Sequence, residues 1–162
     1  MALQAKDKPI ASAGEPVLRA IEVLLPVASS AEDQIKYPRA IDHLRAAAAL
    51  TSRDPDPLLW ARVHAQLCGV MWRNAAYREG SEIAQEVLRV HEQHLGMEHP
   101  DTLSSVGHLA GLLKAKGDLA GAEPLYRGAL AGRERVLGAE HPDALGSVGN
   151  LAGLRHAHGR LE

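Results

Sequence analysis

The chain contains no phenylalanine. Three Tyr and two Trp bring aromatics to only 3% of its 162 residues. A core without large rings must be made from thin, closely spaced elements. β-Sandwiches and barrels favour aromatic and β-branched residues, whereas the 27 Ala and 23 Leu here are among the strongest helix formers. Cysteine is nearly missing as well, and the lone Cys68 excludes an internal disulfide. No apolar run approaches the roughly 18 residues of a membrane span. The opening Met1-Ala2-Leu3-Gln4-Ala5-Lys6-Asp7-Lys8 lacks the apolar stretch of a signal peptide. There is no excess of positive charge either. A net charge of −2 leaves no electrostatic footprint for nucleic acid. At 46% apolar and 23% charged residues, the composition is too apolar for a disordered chain. These absences leave an all-α, cytoplasmic protein with neither nucleic acid nor membrane as its partner.

What the chain does have is repetition. Leu95-Gly96-Met97-Glu98-His99-Pro100-Asp101-Thr102-Leu103 returns 42 residues later as Leu137-Gly138-Ala139-Glu140-His141-Pro142-Asp143-Ala144-Leu145, and 17 of 26 positions agree between 95–120 and 137–162. The same offset aligns Leu67-Cys68-Gly69 with Leu109-Ala110-Gly111 and Leu151-Ala152-Gly153. Within the best copy the period is helical, since Val106, Leu109, Ala110 and Leu113 follow the i, i+3, i+4, i+7 rule. Pro100 and Asp101 suit the first turn of a helix, and Gly117 suits a left-handed cap at its end. A second helix is expected from about Asp118 to Val136, with Leu119, Ala122, Leu125, Tyr126, Ala129 and Leu130 inward. Each unit is then a helical hairpin that needs stacked neighbours to bury its apolar face.

The series Leu109, Ala110, Leu113, Gly117, Leu119, Ala122, Tyr126, Ala129, Leu130 resembles the tetratricopeptide repeat (TPR) pattern. The Leu-Gly-x-x-His-Pro-Asp junction and the 42-residue unit resemble its kinesin-light-chain subtype. The resemblance implies an α-solenoid of stacked antiparallel hairpins, a right-handed superhelix. It divides the chain into a mobile tail (1–12), a degenerate capping hairpin (13–52), repeats at 53–94 and 95–136, and a first helix only at 137–162. Gly80 and Ala84 are smaller than the pattern expects, which predicts loose packing in the 53–94 hairpin.

In TPR proteins one side of the first helices lines a concave groove that holds a partner. Carried onto this chain, that side holds Arg62, Ala65, Gly69 and Trp72, then Ser104, Gly107, Gly111 and Lys114, then Gly146, Gly149, Gly153 and His156. Arg73 stands on the rim. Gln66, His108 and Asn150 occupy the polar slot before the repeated Leu. Mid-helix glycines cost about 0.5–1 kcal/mol each against Ala, so Gly107, Gly111, Gly149 and Gly153 mark either tolerated drift or close approach by another backbone. These slots hold Lys, Asn or Arg in TPR domains that clamp a C-terminal carboxylate, and such a clamp is not expected here. Trp72 is the side chain a partner should touch, while Trp60 should anchor packing.

Signals for catalysis are missing. There is no glycine-rich phosphate loop, no Cys pair and no serine elbow. His91-Glu92-Gln93-His94 falls one residue short of the H-E-x-x-H zinc pattern. The histidines are therefore expected to be solvated or capping, His99 and His141 being structural because they recur at a junction. Cys68 shares a slot with Ala110 and Ala152 and should be a small buried hydrophobe. No enzyme, metal or cofactor is expected.

Two functions fit. One is a non-catalytic protein–protein interaction scaffold that binds a peptide or protein in the groove. The other is the regulatory or sensing TPR segment of a larger enzyme or signalling protein, such as a protease or nucleotide-switch ATPase. Gly159-Arg160-Leu161-Glu162 reads as the turn into a further helix, hence as a fragment of a longer array. An uncapped face of Val148, Leu151 and Leu154 would permit self-association.

Overall fold

The computed structural model describes residues 56–159, together with Asp42, Arg45, Ala46, Ala48 and Ala49, which are helical. The expected tail and nearly all of the capping hairpin lie outside the described residues. Among those described there are five helices and no strand: α1 (Pro57–Arg73), α2 (Tyr77–Leu95), α3 (Pro100–Lys116), α4 (Leu119–Leu137) and α5 (Pro142–His158). Each packs along the next, as an all-α solenoid of helical hairpins requires. None is long and apolar enough to cross a membrane.

The helix ends follow from the residues placed there. Asp56 caps α1 by accepting the Leu58 N–H at 2.9 Å, and Asp118 caps α4 by accepting the Gly121 N–H at 2.9 Å. At the two His-Pro-Asp junctions the histidine is the cap. His99 Nδ1 accepts the Asp101 N–H, and His141 Nδ1 accepts the Asp143 N–H, both at 3.2 Å. The following proline occupies the first helical turn, where its missing N–H has no partner to lose.

The end of α3 is closed by Gly117 at φ 95°, with the Asp118 N–H bonded to the Leu113 carbonyl and the Gly117 N–H to the Lys114 carbonyl. One repeat earlier the same two bonds are made by Ala76 and Ala75, and Ala75 adopts φ 58°. An alanine there pays the left-handed steric cost that glycine avoids. Ala75→Gly should therefore raise the unfolding free energy by about 1 kcal/mol. The urea midpoint checks this, and an unchanged or lower midpoint would contradict it.

A continuous core runs through all five helices: Cys68 from α1, Ala84 from α2, Leu109, Ala110, Leu112 and Leu113 from α3, Ala122 and Tyr126 from α4, and Leu154 from α5. A second cluster joins Ala61 to Val87 and Val90, with Trp60 packed against it. Buried alanines at 61, 84, 110, 122, 129 and 144 are the near-contact points that let aliphatic helices sit close without rings. Cys68 is among them. Burial pushes its thiol up to about 12, and its Sγ faces the Gly80 carbonyl at 3.6 Å, so no thiolate forms near neutral pH.

Two expectations need correction. The α1–α2 hairpin is not loose at Gly80. A Cβ there would lie 3.2 Å from Met71 Cβ and 3.0 Å from Leu112 Cδ2, so the missing side chain is replaced by close approach. The open face of α5 keeps only Val148 of the three residues expected there. Leu154 is buried in the core and Leu151 packs against it, whereas Leu145 and Val148 are 54% and 47% exposed. Their equivalents in α3, Leu103 and Val106, are buried and half-buried, with Leu103 seated against Gly132 of α4.

Candidate partner-binding site

Helices α1, α3 and α5 are the first helices of successive hairpins and lie side by side. Their shared face holds two adjoining cavities. The larger, ≈ 510 Å³, is lined by Trp72, Arg73, Gly107, His108, Gly111, Lys114 and Asn150, with Tyr126 of α4 at its base. The smaller, ≈ 470 Å³, is lined by Arg62, Gln66, Ser104 and His108, together with His91, His99 and Asp101. Twelve of the sequence-derived groove residues, Ala65 and Gly69 included, thus come together, and His108 belongs to both cavities. Gly146, Gly149, Gly153 and His156 line neither. They belong to α5, the last helix described.

The electrostatics of this face follow from where the sequence places its charges. The three helices carry five Lys or Arg residues (Arg62, Arg73, Lys114, Lys116 and Arg155) and two acids, Asp101 and Asp143, both confined to first turns. An acid in the first turn meets the positive end of the helix dipole, and among the described residues Arg62, Arg73 and Lys114 on the cavities form no ion pair. Trp72 stands among them 51% exposed.

The residues missed from the sequence come from the second helices. His91 and Arg133 are one repeat apart, as are Ser105 and Ser147. His91 Nδ1 lies 2.8 Å from Ser105 Oγ, and that hydroxyl gives its single hydrogen to the Asp101 carbonyl at 3.0 Å. His91 must therefore donate. One repeat on, Arg133 Nη1 donates to Ser147 Oγ at 2.6 Å, and Ser147 donates to the Asp143 carbonyl at 2.9 Å. Each pair ties a second helix to the next first helix. His91 is thus neither solvated nor capping, as expected from sequence, but buried and bonded across the repeat boundary. The repeated spacing of 91 with 133 and of 105 with 147 is the available signal, obscured because His and Arg differ in size and charge.

Burial lowers the pKa of His91, partly offset by Asp101. Desolvation also lowers that of His108, and the Arg133 guanidinium pushes the same way. Both rings are therefore neutral near neutral pH and offer hydrogen bonding rather than charge. Among the described residues no three His, Cys, Asp or Glu side chains gather as a metal-ligand set.

The comparisons accord with this architecture. The family model described as Tetratricopeptide repeat matches residues 102–143, from the first turn of α3 through the start of α5. Residues 102–143 are a tetratricopeptide repeat. Solved structures similar to this chain include the crystal structure of kinesin light chain nearly identical TPR-like repeats from Podosopora anserina, at 23% identity and TM-score 0.75, covering 86% of this chain and 67% of that one. A single-site variant of that protein gives 22% and 0.77, with 90% and 68% covered. BtubC (BKLC) from P. vanneervenii gives 19% and 0.66, with 90% and 65% covered. No curated protein matches the chain. What these structures share with this chain is the fold.

Proposed function

We propose that the chain is a non-catalytic protein-interaction scaffold that holds a peptide segment, or an exposed segment of a folded partner, along the face made by α1, α3 and α5. The observation that carries this reading is the pair of adjoining cavities on that face, bordered by a half-exposed tryptophan and by cations that form no ion pair among the described residues. Tryptophan and arginine are the residues most often found to dominate binding energy at interfaces. The cations favour a segment that carries acids, through faster encounter and correct register more than through raw affinity.

Peptides selected on the chain from a random library displayed on phage test the reading. Calorimetry of the best binder should show Trp72→Ala weakening it by about tenfold or more, the size expected of an anchoring aromatic. Leu145→Ser with Val148→Ser, at the open face of α5, should leave it unchanged. Equal binding to the Trp72 variant, or loss with the α5 pair alone, would remove the groove in favour of the end face, where self-association would then be the function to pursue.

A further inference from the structure

The two joints between repeats are built alike but present different chemistry to the groove. His91 donates from Nδ1 to Ser105, so its ring, uncharged near neutral pH, carries no hydrogen on Nε2. That nitrogen is an acceptor, and the ring borders the ≈ 470 Å³ cavity between α1 and α3. We propose that this cavity is a subsite for a carboxamide side chain, Asn or Gln, of the bound segment, with the amide N–H donating to His91 Nε2. The subsite rests on the groove reading above and names a residue class that the groove selects.

His91 is 6% exposed, and its Nδ1 alone is bonded to a described residue. Nor is Nε2 sealed in the core: among the described residues the buried side-chain polar atoms without a partner are Arg45 Nε and Thr102 Oγ1. Nε2 therefore meets solvent, and the cavity that the ring borders is where it does so. The joint itself does not require this acceptor. One repeat on, Arg133 bonds Ser147 with donors alone, and its Nη2 lies 3.5 Å from both the Leu103 carbonyl and Ser104 Oγ. A Cβ on Gly107 would meet Arg133 Nη2 at 3.7 Å, and one on Gly153 would meet Lys114 Nζ at 3.0 Å. The space over these groove glycines is taken by polar tips arriving from neighbouring positions. Position 133 thus brings donors and charge, whereas position 91 brings a lone pair.

His99 lines the same cavity. Its Nδ1 accepts the Asp101 N–H, which leaves its own hydrogen on Nε2, a donor. A cavity that holds a fixed acceptor and a fixed donor is matched by a group carrying both. A carboxamide does so from two atoms, which suits partners supplied by different elements. A carboxylate has no hydrogen for His91 Nε2, and an ammonium has no lone pair for His99. Arg62 and Asp101 face the cavity with opposite charges, so it makes no net demand for an ion. Its volume accommodates one such side chain.

The test uses peptides selected from the phage library on the wild-type chain, which should enrich Asn or Gln at one position. Replacing that amide by the acid of the same shape should weaken binding about tenfold, since one hydrogen bond is lost and the histidine lone pair is left facing a carboxylate. His91→Gln can donate to Ser105 and still present an acceptor, and should keep the preference for amide over acid. His91→Arg copies the joint that Arg133 makes with Ser147 but offers donors only, and should abolish or invert the preference. The peptide substitution on the wild-type chain needs no altered protein to fold. Selected peptides without an enriched amide, an acid form that binds equally well, or a preference that survives His91→Arg would overturn the subsite while leaving the groove intact. If Trp72→Ala also fails to affect binding, the groove itself is overturned.

Discussion

Leu112→Ala is expected to lower the unfolding free energy by about 2–5 kcal/mol, the range for emptying a fully buried leucine site. Leu112 is 1% exposed, and its Cδ2 and Cδ1 would lie 3.0 and 3.6 Å from a Cβ on Gly80. It is therefore a knob seated in a hole made by a missing side chain, and it joins α2 to α3 across a repeat boundary. In a solenoid, stability is approximately a sum of repeat terms and nearest-neighbour interface terms, and this substitution falls on the interface. Against a total of roughly 5–15 kcal/mol for an ordinary domain, the loss is large enough to broaden or split the urea transition. Gly80→Ala should cost about 1–3 kcal/mol by overpacking, because the new methyl meets Met71 Cβ at 3.2 Å as well as the flexible Leu112 tip. In the Leu112→Ala background part of that cost should vanish, since the leucine tip is gone. Strict additivity of the two changes would contradict the knob-and-hole contact.

Acidification is expected to destabilise the fold below about pH 6.5, the ordinary histidine value. His64 and His91 are both buried, and burial is the first cause lowering each pKa. His64 Nδ1 donates to the Trp60 carbonyl at 2.9 Å, a bond that offsets part of the shift, and its ring stacks on Trp60 at 4.1 Å. Above the unfolded value both states are neutral and stability is level. Below it the unfolded chain binds protons that the folded chain refuses, so stability falls until the folded pKa is reached. The slope is at most about 1.4 kcal/mol per pH unit for each histidine. Urea midpoints at pH 7.5, 6.5 and 5.5 check this. His91→Gln, which can still donate to Ser105, should flatten the curve. A level or rising midpoint on acidification would show that neither ring is held neutral. Glu86, whose carboxyl is stabilised by Arg89, acts in the same direction but only below its ordinary value of 4.5.

How much of this is legible in the sequence depends on whether the signal is local. The 42-residue offset, the apolar period of α3, the Pro-Asp start and the Gly117 stop are each set within a few residues, and the helices fall where those signals put them. Trp72 and Lys114 can be placed on one side because 100° per residue fixes which side chains share a helix face. Tyr126, His91 and Arg133 escape as groove or joint residues because they sit on second helices, and helical spacing says nothing about what a neighbouring helix brings near. Gly80 misleads for the same reason, since smallness in one helix looks like a gap until Met71 and Leu112 are seen filling it.

The shortage of rings makes the first and most reliable statement about this protein, because a core of Ala and Leu can be assembled only from helices that approach closely. Repetition then fixes how those helices are paired. Which polar tips occupy the space over the glycines, which histidines are buried, and which leucines of α5 remain open are decided only when the hairpins stack. Those properties belong to the distances between helices, and a single helix carries no record of them.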